Sequence, residues 1–214
     1  MNKILYSLIL SESVIEAIDR EADQKGATRS GLIDEILSEH VSVVTHEQQI
    51  RKIFRELDRL VAGHFEELSP TNSRSIALRS SLDVKYKPSV RYQFELSKNF
   101  DTTLGRLKVQ WRSKAPELLS RIEEFVRYWT EAEKLFSGDD FAGAEFFLEE
   151  GRFQRLFLTP KDFEFKHNII GRALYDYMRA FDTALKNYAS GESDGYKDVE
   201  KSFASYVKNT VKKL

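Results

Sequence analysis

Leu5-Tyr6-Ser7-Leu8-Ile9-Leu10-Ser11-Glu12-Ser13-Val14 decides how this chain is read. From Leu5 to Leu10, Tyr6, Leu8 and Leu10 fall on one side and Leu5, Ser7 and Ile9 on the other, the period of a short strand. Ser11 or Ser13 then caps a helix. Ser13 and Glu16 have capping-box spacing, while Ser11 lies closer to the strand end. Val14, Ile15, Ile18 and Ala22 make the apolar stripe of that helix, and Gly26 stops it by taking the left-handed conformation. Thr28 suits the N-cap of a second helix, whose stripe is Leu32, Ile33, Ile36 and Leu37.

Such a unit cannot hide its own apolar surface. One short strand has two unpaired edges, and two amphipathic helices of a few turns expose more than they cover. A second copy answers both needs, with strands pairing across a two-fold axis and four helices enclosing one core. Homodimerisation is therefore expected from burial alone.

Leu8-Ile9-Leu10-Ser11-Glu12-Ser13-Val14, the apolar helix, Gly26, and Thr28-Arg29-Ser30 followed by Ile33 resemble the ribbon-helix-helix family of Arc-, MetJ- and CopG-type repressors. The resemblance covers residues 3–41. It implies an intertwined dimer whose paired strands form a β-ribbon that enters the DNA major groove. By position it makes Lys3, Leu5, Ser7 and Ile9 the readers of base edges, and Thr28, Arg29 and Ser30 the contacts to phosphate at a helix N-terminus. Leu5 and Ile9 can meet only a thymine methyl group.

The chain has 214 residues, 41% hydrophobic and 31% charged, an ordinary globular balance that leaves room for a sizeable core. It contains no cysteine, which removes disulfides and thiolate metal sites. No signal peptide or run of apolar residues of membrane-spanning length is evident, so a cytoplasmic location with no membrane partner is expected; that the chain is a bacterial regulator is what the resemblance implies. Net charge is −1 but unevenly spread. Residues 1–45 hold four Lys/Arg against eight Asp/Glu, whereas residues 74–114 hold ten against three.

Thr45 with Gln48 opens a helix expected to reach Leu68, bearing Ile50, Ile53, Leu57, Val61 and Phe65. The turn formers around Pro70 mark a domain boundary. From Ser75 the period becomes two, and three antiparallel strands are expected around Ile76–Leu82, Tyr92–Leu96 and Leu107–Trp111. Pro116 opens a helix carrying Leu118, Ile122, Phe125, Trp129 and Phe136, broken near Asp139-Asp140. Residues 145–158 read equally as a hairpin turned at Glu150-Gly151 or as an interrupted helix. Thr159-Pro160 opens a long helix with Tyr177, Phe181 and Leu185, and a last helix carries Val199, Phe203 and Tyr206.

The expected architecture is α+β: a ribbon-helix-helix unit over residues 1–44, a connecting amphipathic helix over 45–69, and an antiparallel sheet with helices over 70–214 for assembly or sensing. The basic strand face of Arg91, Arg106, Lys108 and Arg112 is a candidate second contact to nucleic-acid backbone, or a solvated face. Tyr92, Phe94 and Trp111 fall on the opposite, core-facing side. His40, His46, His64 and His167 lack metal-ligand spacing, and no nucleophile, base or glycine-rich phosphate loop stands out. No enzyme activity, metal or cofactor is expected. Two functions remain: a homodimeric DNA-binding regulator of transcription, or an antitoxin- or scaffold-like assembly protein whose residues 70–214 hold a protein partner.

Overall fold

The computed structural model describes residues 5–41, 45–68, 73–98, 100–137, 145–159 and 166–210. Lys3, Pro70, the Asp139-Asp140 break and Pro160 lie outside them. The chain divides into two compact units, Met1–Gln49 and Ile50–Leu214.

The N-terminal unit departs from the expected architecture. Leu5 to Ser11 form no strand, and the chain opens on three helices: α1 (Glu12–Lys25), α2 (Arg29–His40) and α3 (His46–Val61). An N-terminal ribbon is therefore not the first element of this fold. The physical reason is that a strand exists only through a hydrogen-bonded neighbour, and every described ladder joins strands that lie after Val61. The signals at the end of α1 and at the starts of α2 and α3 hold, whereas Ser11, at the N-cap of α1, makes no side-chain capping bond. Gly26 sits left-handed at φ 60°, ψ 30°, and Ala27 N–H donates back to Ala22 O at 2.9 Å, closing the C-terminus of α1. Thr45 and Gln48 form a reciprocal box: Gln48 N–H donates to Thr45 Oγ1 at 3.2 Å, and Thr45 N–H donates to Gln48 Oε1 at 3.1 Å. Ile18, Ala22 and Leu32 form this unit's small buried cluster, with Ile33 packed against it.

In the second unit the helix expected to reach Leu68 stops at Val61. Gly63 turns the chain at φ 82°, and Glu66–Leu68 becomes strand β1. Five further strands follow: β2 (Ser75–Ser81), β3 (Ser89–Leu96), β4 (Thr103–Trp111), β5 (Glu145–Glu149) and β6 (Arg152–Leu158). They make one antiparallel six-stranded sheet in the order β1-β2-β3-β4-β6-β5. Residues 145–158 are thus a hairpin, turned at Gly151 with φ 68°. Helices α4 (Pro116–Ser137), α5 (His167–Ser190) and α6 (Tyr196–Asn209) are the remaining described elements, the long helix α5 being described from His167. Thr159 lies just past the end of β6, its N–H donating to Thr102 O at 3.0 Å.

Period-two alternation in β3, β4 and β6 sends Tyr92, Phe94, Leu107, Val109, Trp111, Phe153 and Phe157 into the core, as the strand pattern predicts for the first two and Trp111. Register aligns Leu78, Tyr92, Val109, Phe153 and Leu148 in one row across five strands. Over that row lie rings from the helices: Phe181 stacks on Phe153 at 5.6 Å and meets Tyr92 edge-on at 6.3 Å, while Trp129 packs against Phe181 and Phe203. Among the described residues, no helix is long and apolar enough to cross a membrane.

Candidate nucleic-acid interface

The residues picked out at the second helix come together on one exposed corner of the N-terminal unit. Thr28, extended at φ −84°, ψ 151°, caps α2, its Oγ1 accepting from Gly31 N–H at 3.2 Å. Arg29 and Ser30 occupy the first turn and are exposed, and that turn carries no acidic side chain. Unpaired N–H groups and the positive end of the helix dipole meet there, which favours an anion. The Arg29 guanidinium is already engaged. It forms a two-point pair with Asp19 of α1, Nε donating to Oδ1 at 2.6 Å and Nη2 donating to Oδ2. These hydrogen bonds hold the Asp19 carboxyl below the usual carboxylate range and push Arg29 further up.

Leu5, Ser7 and Ile9 precede this corner in the chain as an exposed run without a ladder partner, and Lys3 lies outside the described residues. Leu5 and Ile9 are 98% and 102% exposed. Of thirteen large hydrophobic side chains exposed among the described residues, nine belong to residues 5–41: Leu5, Tyr6, Leu8, Ile9, Leu10, Val14, Ile36, Leu37 and Val41. Scattered exposed apolar residues are ordinary; among the described residues they concentrate in this one short unit.

The basic strand residues share the face of the sheet opposite the aromatic core, where their register draws them onto acids. Glu95 on β3 takes Lys108 Nζ at 3.2 Å and Arg106 Nε at 3.5 Å, both from β4. A second row runs Glu66, Arg79, Arg91, Gln110, Arg152 and Glu149, with Arg79 paired to Glu66 and Arg152 to Glu149. Arg91 sits between, exposed and opposite Arg79, and Arg112 is exposed just beyond the end of β4. On this face Arg79, Arg106, Lys108 and Arg152 are thus each drawn onto a strand carboxylate.

The pattern reading missed a polar cluster inside the second unit. Arg155 of β6 and Glu133 of α4 are 1% and 0% exposed, with Arg155 Nε donating to Glu133 Oε1 at 2.7 Å. Tyr177 of α5 donates to Glu133 Oε2 at 2.6 Å and accepts from Trp129 Nε1 at 3.0 Å. The guanidinium also lies over the rings of Phe157 at 3.8 Å and Tyr177 at 4.8 Å. Burial pushes the Glu133 carboxyl up against the pull of Arg155, and burial beside that carboxylate holds the Tyr177 phenol well above its ordinary value. A second buried contact ties Tyr92 to Asp182 at 2.8 Å, with Lys186 on the same carboxylate. Both charged residues of the first pair stand in phase with apolar neighbours: Arg155 between Phe153 and Phe157, Glu133 four residues after Trp129. That was the signal available. Packed against the rings of Phe157 and Tyr177, the pair joins sheet to helices.

No group of three or more His, Cys, Asp or Glu side chains able to hold a metal occurs among the described residues. The chain matches no family model, no curated protein and no solved structure.

Proposed function

We propose that the chain is a homodimeric, DNA-binding regulator of transcription acting in the cytoplasm, without catalysis of its own. Its two copies join through the apolar face of residues 5–41 and hold DNA backbone at the N-termini of α2. The observation that carries this reading is the half-built N-terminal unit, whose buried cluster is far smaller than the apolar surface it leaves open. A second copy is the economical cover, since an isologous contact buries the same patch twice. The DNA assignment is supported by the acid-free first turn of α2, with Thr28 as cap and Arg29 and Ser30 exposed beside it. The α1-Gly26-Thr28-α2 geometry is also what the ribbon-helix-helix resemblance implies for these helices.

A gel-shift titration against genomic fragments across a salt series tests it. Binding should weaken steeply as salt rises, and Arg29→Gln should weaken it further while leaving the dimer intact. Equal binding by the variant would remove Arg29 from the interface.

A second reading has its own support. The four Lys/Arg against eight Asp/Glu of residues 1–45 oppose a polyanion, which suits an assembly protein that dimerises in the same way and presents residues 70–214 to a protein partner. A dimer with no salt-dependent DNA binding would select that reading.

A further inference from the structure

We infer that Asp19 is a built-in stand-in for DNA phosphate, holding Arg29 until a backbone phosphate displaces it and so setting the module's affinity threshold. The inference rests on the DNA-binding reading above. Its basis is geometric. Asp19 presents both carboxylate oxygens to Nε and Nη2 of Arg29, the same planar two-point arrangement in which a guanidinium grips a phosphate. The partners come from different helices, ten residues apart, so the contact is not an incidental neighbour pair along one helix. Both side chains are substantially exposed, at 56% for Arg29 and 41% for Asp19, so an incoming anion can reach the guanidinium without unfolding anything. The pair also sits at the start of α2, where helix N–H groups without intrahelical acceptors favour an anion and Asp19 occupies the adjacent cation.

Exchange of partners has a particular electrostatic signature. When phosphate replaces Asp19, the DNA sheds a counterion but the freed carboxylate gathers one, so the contact adds little to the salt dependence of binding. Without the carboxylate, the same contact adds its full share. Weak encounters at random backbone positions then become easier, which makes Asp19 a determinant of specificity as well as of affinity.

The test compares the full chain with Asp19→Asn, Glu16→Gln and the double variant Asp19→Asn/Arg29→Gln, on a mixed-sequence DNA duplex across a salt series. Sedimentation of each protein confirms its assembly. Glu16 is exposed on the same helix and makes the same change in charge without touching Arg29. Asp19→Asn should bind about fivefold tighter per protomer, compounding to about 25-fold for a dimer. Its salt slope should steepen by about 0.9 per protomer. Glu16→Gln should change little, and the double variant should lose the gain. An equal gain from Glu16→Gln would reduce the effect to net charge and overturn the proposal. A gain that survives in the double variant would overturn it too, since Arg29 would not be the carrier, and so would Asp19→Asn binding like the unaltered chain. Absence of salt-dependent binding by every protein, with the dimer intact, would instead defeat the DNA-binding reading itself.

Discussion

The two units of this chain solve the burial problem differently. The unit from Ile50 onward closes over its own core, with a six-stranded sheet, aromatic rings from three helices and a charged pair that is fully enclosed and hydrogen-bonded. Among the described residues, the unit up to Gln49 buries Ile18, Ala22 and Leu32 in its core and leaves nine large apolar side chains exposed. Both carry well-formed helix boundaries, so local structure is not what separates them. What separates them is whether the chain supplies enough surface to cover itself. The lesson is that good caps and amphipathic stripes specify helices, while completion of a core is a separate requirement that a second copy can meet.

The sharpest way to break the self-sufficient unit is through its buried charges. Arg155→Met leaves the Glu133 carboxylate uncompensated, and should lower the stability of the second unit by about 3–5 kcal/mol in denaturant unfolding followed by tryptophan fluorescence. Adding Glu133→Leu should recover much of that loss, because a well-packed apolar pair avoids the desolvation cost. A single variant as stable as the parent would mean that water reaches the pair.

The incomplete unit should respond separately. Leu32 is its one described apolar side chain with no exposed area, so Leu32→Ala should cost that unit about 2–4 kcal/mol, read as a loss of helical circular dichroism. The tryptophan-reported transition of the second unit should stay in place, since both tryptophans, Trp111 and Trp129, lie there. Movement of both transitions together would show the units to be energetically coupled. A smaller effect is expected at the helix start: Thr28→Ala removes the acceptor for Gly31 N–H and should cost about 1 kcal/mol by the same dichroism measurement.

Much of this was legible in the sequence where the deciding physics is local. Gly26, Thr28 and the Thr45–Gln48 box fix helix ends through bonds between residues at most a few positions apart. Period two marked the core faces of β3 and β4 because each side chain's direction follows from the pleat. Three-residue β1 is too short to show a period, and its existence depends on pairing Glu66 with Arg79 across the sheet. The opening segment failed for the complementary reason. Leu5 to Leu10 alternate as a strand does, yet alternation supplies no hydrogen-bonding neighbour.

Charge partners were the least legible part of the site. Nothing in the spacing of Asp19 and Arg29 announces a two-point pair; that follows from the angle at which α1 and α2 meet. The shared acceptor Glu95 is similar, since only the register places it beside Arg106 and Lys108. Glu133 and Arg155 were visible in principle, as charges standing in phase with apolar stripes, and a reading that collects only the apolar members of a stripe passes over them.

Sedimentation equilibrium of the full chain over a range of concentrations addresses most directly whether a twin completes the N-terminal unit. The mass should be twice that of one chain, and replacing Leu5 and Ile9 together by Asp should return it to the single-chain value. A folded protein that sediments as one chain at every concentration, with or without those replacements, would contradict the account.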